Sequence, residues 1–171
     1  MERELKVIGL AGWSGAGKTT LLTRLLPQLI AEDLRVSVIK HAHHDFDVDT
    51  PGKDSWLHRQ AGAGEVLVSS GRRWALMHEL GDAAEPKLPE LLLRLSRTDL
   101  VIVEGFKSER FRKIEIHRAG NGKPTLFPND PDIIGIATDS DIRAPLPVVH
   151  LDDIPAIATM VQTFAVEIEN F

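Results

Sequence analysis

Short apolar runs alternate with helical stretches from the start of the chain. Residues 7–11 form an apolar run, and the leucines that follow at 21, 22, 25, 26 and 29 recur every three or four positions. A second apolar run covers residues 34–40. This spacing predicts a strand, a helix and a second strand, with the two strands parallel and joined by a right-handed crossover.

The same alternation continues along the chain. Further strands are predicted at residues 65–69, 74–80, 99–105, 113–118, 133–139 and 148–149, and helices at residues 55–61, 86–97 and 152–169. Residues 99–105 form the continuous apolar run of a strand buried on both faces, whereas strict alternation in 113–118 predicts a half-exposed strand. The pattern leaves the partner of 74–80 open. Together these elements predict an α/β fold with a doubly wound, mainly parallel sheet and helices on both faces.

Polar segments that could carry chemistry follow four of the predicted strands. They are residues 12–19, 41–54, 104–107 and Asp139. Because the carboxyl ends of parallel strands meet at one edge of a sheet, we expect the four segments to lie together there. The sequence therefore predicts a ligand site at that edge.

Length, charge and cysteine content narrow the classes of function. A chain of 171 residues and 18.9 kDa is expected to form a single domain, residues 1–171. The 20 Lys and Arg residues against 25 Asp and Glu residues give a formal net charge of -5, which argues against binding to nucleic acid. The absence of cysteine excludes disulfides and thiolate metal sites. No apolar run is long enough to span a membrane, so we expect a cytoplasmic protein without a membrane partner.

The first polar segment fits the phosphate-binding pattern G-x-x-x-x-G-K-[ST] at every fixed position. Its residues are Gly12, Trp13, Ser14, Gly15, Ala16, Gly17, Lys18 and Thr19. The glycines let the backbone turn its N–H groups toward anionic oxygens, and the helix that begins near Lys18 adds the positive end of its dipole. Lys18 is then expected to reach the β- and γ-phosphates of a nucleotide, and the Thr19 hydroxyl to hold Mg²⁺. This motif makes the predicted fold a P-loop NTPase-like one.

Two carboxylates at strand ends fit roles beside a bound nucleotide. Glu104 ends the most apolar strand, where it could orient a magnesium-bound or attacking water, or simply cap a loop. Asp139 could accept hydrogen bonds from the N1–H and N2–H₂ groups of guanine, which adenine lacks. The chain has no N-K-x-D sequence, the usual guanine reader of this fold, and an aspartate at a strand end is also a common turn former.

The loop at residues 41–54 is rich in histidine and aspartate. Its candidate ligands are His41, His43, His44, Asp45, Asp47 and Asp49. Three interpretations stay open: a segment that orders around Mg²⁺ and the γ-phosphate, a site for Zn²⁺ or Fe²⁺, and a solvated loop. Lys53 at the mouth of the next helix could bind an anion, or Asp54 could merely cap that helix.

Positive charges near aromatic residues form a further candidate site. They are Arg72 and Arg73 beside Trp74, and Lys107, Arg110 and Arg112 beside Phe106. Such groups could bind a second anionic ligand, for example a phosphorylated heterocycle stacked on Trp74. The alternative is surface charge next to a core tryptophan.

Taken together, these motifs resemble the family of molybdopterin-guanine dinucleotide biosynthesis protein B (MobB). The matching segments are residues 11–22 around the P-loop, Ile-Lys-His-Ala-His-His-Asp-Phe-Asp-Val-Asp at 39–49, Pro-Gly-Lys-Asp-Ser at 51–55, Arg-Trp-Ala-Leu-Met at 73–77 and Val-Glu-Gly-Phe-Lys at 103–107. The resemblance runs from the first strand to past the middle of the chain.

The resemblance implies a homodimeric GTP-binding protein with Mg²⁺ and weak GTPase activity. It implies an accessory role beside the guanylyltransferase that attaches GMP to molybdopterin, which yields the guanine dinucleotide form of the molybdenum cofactor. On this interpretation the phosphates are held by residues 12–20, which adds Thr20 to the motif. Lys18, Glu104 and Asp47 form the catalytic set, and Thr19, Glu104, Asp47 and Asp49 are the metal ligands. Lys53, Arg73 and Lys107 would face the pterin phosphate or the partner.

Two other classes of function fit the same motifs. One is a small-molecule kinase that uses ATP, with Asp45, Asp47 or Asp49 as its base and residues 110–118 as the best candidate for a lid. The other is a nucleotide-gated interaction module without useful turnover.

Overall fold

The structure is a computed structural model that describes residues 4–42, 46–96, 98–106 and 109–167. The chain divides into two compact units. The first unit comprises Met1–His41 and Leu91–Phe171, and the second unit comprises Ala42–Glu90. That residues 1–171 behave as a single domain, as the chain length predicts, stays a prediction.

Most of the elements lie where the hydrophobic pattern predicts them. The strands in chain order are β1 (Lys6–Ala11), β2 (Val36–Lys40), β3 (Glu65–Ser69), β4 (Trp74–His78), β5 (Leu100–Glu104), β6 (Lys113–His117), β7 (Ile133–Thr138), β8 (Val148–His150) and β9 (Val166–Glu167). The helices are α1 (Lys18–Ala31), α2 (Asp54–Gln60), α3 (Leu88–Leu92) and α4 (Ile154–Phe164), and Ala119–Asn121 form a 3₁₀ turn. None of the helices in the described residues has the length and hydropathy needed to cross a bilayer.

The central sheet of the first unit has the strand order β2-β5-β1-β6-β7-β8. All these neighbours are parallel, and β9 pairs antiparallel with the start of β1. Leu10 on β1 and Lys40 on β2 both stand opposite Glu104 on β5, so the three strands end at the same edge. The predicted doubly wound, mainly parallel α/β fold is confirmed.

The core of the first unit lies between this sheet and helices α1 and α4. Its fully buried members include Ile8, Leu25, Leu29, Ile102 and Ile157. The leucines of α1 recur every three or four residues, so they line one side of the helix and face the sheet. Truncating one of them to alanine is expected to cost about 2–5 kcal/mol of stability. Val7, Val101 and Val103 point to the opposite face and are equally buried, so both faces of the sheet are covered.

Strand β6 is buried, and the prediction of a half-exposed strand was wrong. It lies between β1 and β7, and Lys113 and Glu115 are only 4% and 0% exposed. The carboxylate of Glu115 accepts hydrogen bonds from the backbone N–H groups of Leu126 and Phe127 at 2.6 and 2.9 Å. Nζ of Lys113 lies 3.3 Å from a carboxylate oxygen of Asp130. Alternation of polar and apolar residues cannot distinguish solvent from buried partners, because both satisfy the polar side chains.

The last predicted helix is shorter than the pattern suggested. Asp153 caps α4 by accepting a hydrogen bond from the N–H of Ala156 at 3.0 Å, and the helix ends at Phe164 instead of residue 169. Strand β6 pairs only with the second half of β1, which leaves the first half open on that side. Val166 pairs with Val7 there, so tertiary pairing ends the helix. Helix α3 is likewise shorter than the predicted 86–97.

The second unit contains α2 and an antiparallel hairpin. Strand β3 pairs with β4, which answers the question of pairing that the sequence left open. The register places Leu67 opposite Leu76 and Ser69 opposite Trp74, so Leu67, Leu76 and Trp74 share one face of the hairpin. Their side chains are 60%, 46% and 62% exposed. The interpretation of Trp74 as a core residue was therefore wrong.

Candidate functional site

The phosphate-binding motif folds as a tight loop between β1 and α1. Gly12, Gly15 and Gly17 all have positive φ angles, of 152°, 82° and 90°. A Cβ atom at Gly12 would lie 2.6 Å from the carbonyl oxygen of Ile116 on β6, so the loop can pass this strand only without a side chain. Gly17 is the N-cap of α1, and its carbonyl accepts the first helical hydrogen bond, from Leu21. The loop thus leads directly into a helix N-terminus, where backbone N–H groups attract anions.

Lys18 reaches back across this loop. Its Nζ donates hydrogen bonds to the carbonyl oxygens of Gly12 at 2.7 Å and Trp13 at 3.2 Å. The first helical residue therefore places its ammonium group over the start of the loop. Ala16 is buried and anchors the loop, whereas Trp13, Ser14, Gly15, Thr19 and Thr20 are exposed.

A segment that starts at the last residue of β6, residues 117–124, lies along the outside of the loop. Nε1 of Trp13 donates to the carbonyl of Pro124 at 2.8 Å, and the side-chain amide of Asn121 donates to the carbonyl of Ser14 at 3.1 Å. The guanidinium of Arg118 lies beside Gly17, where Nη2 would be 3.4 Å from an added Cβ atom. We refer to residues 117–124 as the flanking segment. The sequence predicted the end of a strand at residues 117 and 118 and only a loop beyond it, because no local pattern reports a contact with a residue more than 100 positions away.

Glu104 lies at the edge that the motif requires. It is the last residue of β5 and is only 6% exposed. Its neighbour on β1 is Leu10, which lies two residues before the first residue of the phosphate loop. Its Oε1 is buried and has no hydrogen-bond partner among the described residues. A buried oxygen without a donor is costly, so this position suits a residue that completes its bonding with a metal-bound or attacking water. Next to it, the backbone N–H of His41 donates to the Glu104 carbonyl at 2.8 Å.

Asp139 lies at the same edge, directly after β7. Its Oδ1 accepts a hydrogen bond from the backbone N–H of Ala119 at 2.7 Å. Its Oδ2 lies 3.7 Å from Nη1 of Arg118, which is an ion-pair distance but too long for a hydrogen bond. Oδ1 therefore has a structural role in forming the turn. Recognition of guanine by Oδ2 stays a prediction.

In the second unit, Arg59 pairs with Asp47 and Asp49 of the predicted loop 41–54, which we call the acidic loop, and with Glu79 beyond β4. Its guanidinium lies 2.6 Å from Asp47, 3.0 Å from Asp49 and 2.7 Å from Glu79. Asp49 also accepts a hydrogen bond from the hydroxyl of Ser55 at 2.7 Å. We call these residues the Arg59 cluster. Arg59 was not among the predicted site residues, since a lone arginine on a predicted helix carries no signal of its partners.

The Arg59 cluster shifts the ionisation of its members. The backbone N–H of Asp49, followed by the Arg59 guanidinium, holds the pKa of Asp47 below its ordinary value. Hydrogen bonds to Glu79 and Asp47 raise the pKa of Arg59. The described residues contain no group of three or more histidines and carboxylates placed to hold a metal ion. The roles of Asp47 in catalysis and of Asp47 and Asp49 in metal binding stay predictions.

Among the predicted basic residues, Arg110 pairs with Asp132, with both hydrogen bonds at 3.2 Å, whereas Lys53 and Arg73 lie on the surface of the second unit. Lys53 is the exposed N-cap of α2, without a side-chain cap bond, and Asp54 is the first helical residue, so the interpretation of Asp54 as the cap was wrong. Arg73 lies in the turn of the hairpin, where its backbone N–H approaches the hydroxyl of Ser70 at 3.3 Å. Their ligand-binding roles stay predictions. Lys107, His43, His44 and Asp45 lie outside the described residues.

Known proteins are similar to this chain along most of its length. The family model of molybdopterin guanine dinucleotide synthesis protein B, MobB, matches residues 7–139. The molybdopterin-guanine dinucleotide biosynthesis adapter protein of Escherichia coli (strain K12) is 42% identical over 160 residues, covering 92% of this chain and 91% of that protein. The protein of the same name from Haemophilus influenzae is 40% identical over 166 residues, covering 96% and 92%. A crystal structure of molybdopterin-guanine biosynthesis protein B matches with a TM-score of 0.72 and 27% identity, over 92% of this chain and 97% of that one.

The residues that build the site fall within this similarity. The phosphate loop, Glu104 and Asp139 all lie in the range that the family model matches. On that match, and on two relatives at 42% and 40% identity, the chain belongs to the MobB family.

Proposed function

We propose that this protein is a GTP-binding accessory protein with weak GTPase activity, which assists the conversion of molybdopterin to its guanine dinucleotide form. The observation that carries nucleotide binding is the folded phosphate loop with Nζ of Lys18 across it. The pathway comes from the family, whose relatives are named as adapter proteins of molybdopterin-guanine dinucleotide biosynthesis. The guanylyl transfer itself belongs to the partner enzyme in this proposal.

Mg²⁺ fits the donor set at the sheet edge. Thr19 offers an exposed hydroxyl at the start of α1, and Glu104 offers a buried carboxylate oxygen without a hydrogen-bond partner in the described part of the chain. Both would hold the ion, directly or through its waters. Bound there, Mg²⁺ neutralises charge that develops on the β- and γ-phosphates. Asp47 and Asp49 stay further proposed ligands of Mg²⁺, as the family resemblance implies.

Asp139 is the proposed reader of guanine. Its Oδ2 is not held by a hydrogen bond to Arg118, so it can accept from the N1–H or N2–H₂ of the base. We expect Asp139→Asn to lower the preference for GTP over ATP by at least about tenfold, because the amide puts a donor in place of a charged acceptor. The ratio of the two dissociation constants measures this.

Asp141→Asn is the matched control for Asp139→Asn, since Asp141 is an exposed aspartate two residues further along. The control should keep the preference of the wild type. Equal GTP-to-ATP ratios in Asp139→Asn and wild type would move base recognition to other residues.

The accessory role needs a partner surface, and the family resemblance supplies candidates. Lys53, Arg73 and Lys107 are proposed to face the pterin phosphate or the guanylyltransferase. Lys53 and Arg73 are exposed in the second unit, which is compatible with this role. The kinase alternative loses its candidate lid, because residues 113–117 of the 110–118 range form the buried strand β6 and cannot close over a substrate.

Thermal melting with and without nucleotide tests the proposal directly. A ligand present at about 100 times its Kd adds roughly 2.7 kcal/mol to the folded state. We expect Mg²⁺ with GTP to raise the Tm more than Mg²⁺ with ATP. We expect Lys18→Met to abolish the effect of GTP, because it removes the ammonium that neutralises the phosphates.

Lys6→Met serves as the control for Lys18→Met, since Lys6 is an exposed lysine at the opposite end of β1. It should respond to GTP like the wild type. A larger rise with ATP than with GTP would favour the kinase, and an unchanged response in Lys18→Met would remove the argument from the phosphate loop.

A further inference from the structure

The Arg118 guanidinium stands between the phosphate loop and Asp139. On one side, Nη2 and Nε would lie 3.4 and 3.5 Å from a Cβ atom at Gly17, the N-cap of α1. On the other side, Nη1 lies 3.7 Å from Oδ2 of Asp139. Neither the family motifs nor the hydrophobic pattern assign a role to this arginine.

The backbone beneath Arg118 is held firmly, whereas its side chain is not. The carbonyl of Arg118 accepts from the N–H of Asn121 at 3.0 Å, and the next residue, Ala119, donates to Asp139. Asn121 in turn contacts the carbonyl of Ser14 in the phosphate loop. The Arg118 side chain is 43% exposed, and its ion pair with Asp139 is too long for a hydrogen bond. The guanidinium can therefore reorient over a short distance while its Cα atom keeps its place at the loop.

A bound polyphosphate would attract this guanidinium more strongly than Asp139 does. The amino end of α1 is where the loop turns its N–H groups toward an anion. A triphosphate carries more negative charge than Asp139 and Asp152 together, the two carboxylates with which Arg118 interacts electrostatically. The planar fork of arginine can donate two parallel hydrogen bonds to phosphate oxygens, and such bonds are the strong ones.

We propose that Arg118 is a nucleotide-binding residue whose guanidinium contacts the phosphate groups held by the loop. This deepens the proposed GTP-binding function and depends on it for the identity of the nucleotide. The flanking segment then has a binding role, because it positions the positively charged side chain of Arg118 beside the phosphates.

Equilibrium titration with two ligands tests the assignment. One ligand is GTP with Mg²⁺, and the other is inorganic tripolyphosphate with Mg²⁺, which has phosphates but no base. We expect Arg118→Met to weaken both ligands by at least about tenfold, since a hydrogen bond to a charged partner is lost. Arg118→Lys, which keeps the charge without the fork, should bind with intermediate affinity.

Arg94→Met is the matched control. Arg94 is exposed and precedes the amino end of β5, away from the edge that carries the loop, so its loss changes net charge alone. It should bind both ligands like the wild type. An unchanged Tm of Arg118→Met without ligand would show that the fold is intact, as expected for a half-exposed side chain, and Arg118→Lys provides a second, milder variant.

Two results would overturn the inference. One is wild-type affinity of Arg118→Met for both ligands. The other is a loss for GTP without a loss for tripolyphosphate, which would mean that Arg118 acts on the base through Asp139. The proposed function fails separately, if the wild type binds tripolyphosphate but does not prefer GTP to ATP. A wild type that binds neither GTP nor tripolyphosphate would refute both the inference about Arg118 and the proposed function.

Discussion

Glu104 is a residue whose surroundings explain its chemistry. It ends a strand in which every residue is buried, and its Oε1 has no hydrogen-bond donor in the described part of the chain. Leaving a polar oxygen so placed costs stability, by about 1–3 kcal/mol. Such a cost is tolerated when the group meets its partner in the functional complex, as we propose for Mg²⁺ or an attacking water.

We expect Glu104→Gln to lower the rate of GTP hydrolysis by at least about tenfold, because the neutral amide neither holds Mg²⁺ well nor orients a water as an acceptor. The side chain keeps its size, so the Tm without nucleotide should not fall. Initial rates over a range of Mg²⁺ concentrations would measure the effect, with Glu90→Gln on the exposed surface of α3 as control. A wild-type rate in Glu104→Gln would assign water and metal to other residues.

The conformation of the phosphate loop depends on a single residue type, glycine. Gly12 passes the carbonyl of Ile116 at a distance that no Cβ atom could occupy, and the fixed positions of the motif already predicted this loop. Arg118 shows the opposite case. Its position beside Gly17 follows from the pairing of β6 with β1, and the sequence around Arg118 contains no motif.

At the scale of elements, the Arg59 cluster holds the acidic loop of the second unit against α2. Arg59 lies on α2, and its guanidinium binds Asp47 and Asp49 of the loop and Glu79 beyond β4. One side chain therefore connects three segments of this unit. The loop that was predicted to approach the nucleotide is thus built around an internal ion-pair network.

The Arg59 cluster predicts a weakening of the second unit in acid. The pKa of Asp47 is lowered in the folded protein, first by the N–H of Asp49 and then by Arg59. A lowered carboxyl pKa adds stability that is present above the unfolded value of about 3.9 and is lost as the pH falls through the lower folded value. Limited proteolysis below about pH 4 should therefore cleave the acidic loop faster than at pH 7.

Arg59→Met should bring the pKa of Asp47 up toward its ordinary value and expose the acidic loop to protease at neutral pH. Carboxyl chemical shifts followed through a pH titration would report the first effect. Arg72→Met is the control, since Arg72 is an exposed arginine of the same unit. If Asp47 titrates alike in Arg59→Met and wild type, the ion pair does not determine its ionisation.

At the scale of the whole molecule, the hairpin of β3 and β4 carries an exposed apolar face. A two-stranded sheet is marginally stable by itself, and contiguous exposed apolar residues mark interaction surfaces. Leu67, Leu76 and Trp74 form such a surface on one face of the hairpin. This supports the homodimer that the family resemblance implies, with the hairpin face as its proposed interface.

We expect the protein to sediment as a dimer and Leu67→Glu to shift it to the monomer, because a charge in a buried apolar interface is costly. Analytical ultracentrifugation measures both states. Leu93→Glu is the control, since Leu93 is 81% exposed in the first unit, and it should leave the dimer intact. A monomeric wild type, or a dimer that tolerates Leu67→Glu, would refute the hairpin interface.

The sequence by itself determined the elements and the central motif. Periodicity placed most strands and α1 within a few residues, and G-x-x-x-x-G-K-[ST] identified the phosphate loop and Lys18, because both signals depend on neighbours a few positions apart. The edge position of Glu104 and Asp139 followed from one rule of parallel sheets.

Only the tertiary structure decided which distant residues meet. Trp13 contacts Pro124 across 111 positions, Arg118 reaches Gly17, and Glu115 is buried because Leu126 and Phe127 bring it hydrogen-bond donors. Strand β9 replaced the end of a predicted helix for the same reason. Local propensity differs by fractions of a kcal/mol per residue, roughly, whereas pairing and burial contribute more and depend on the whole chain.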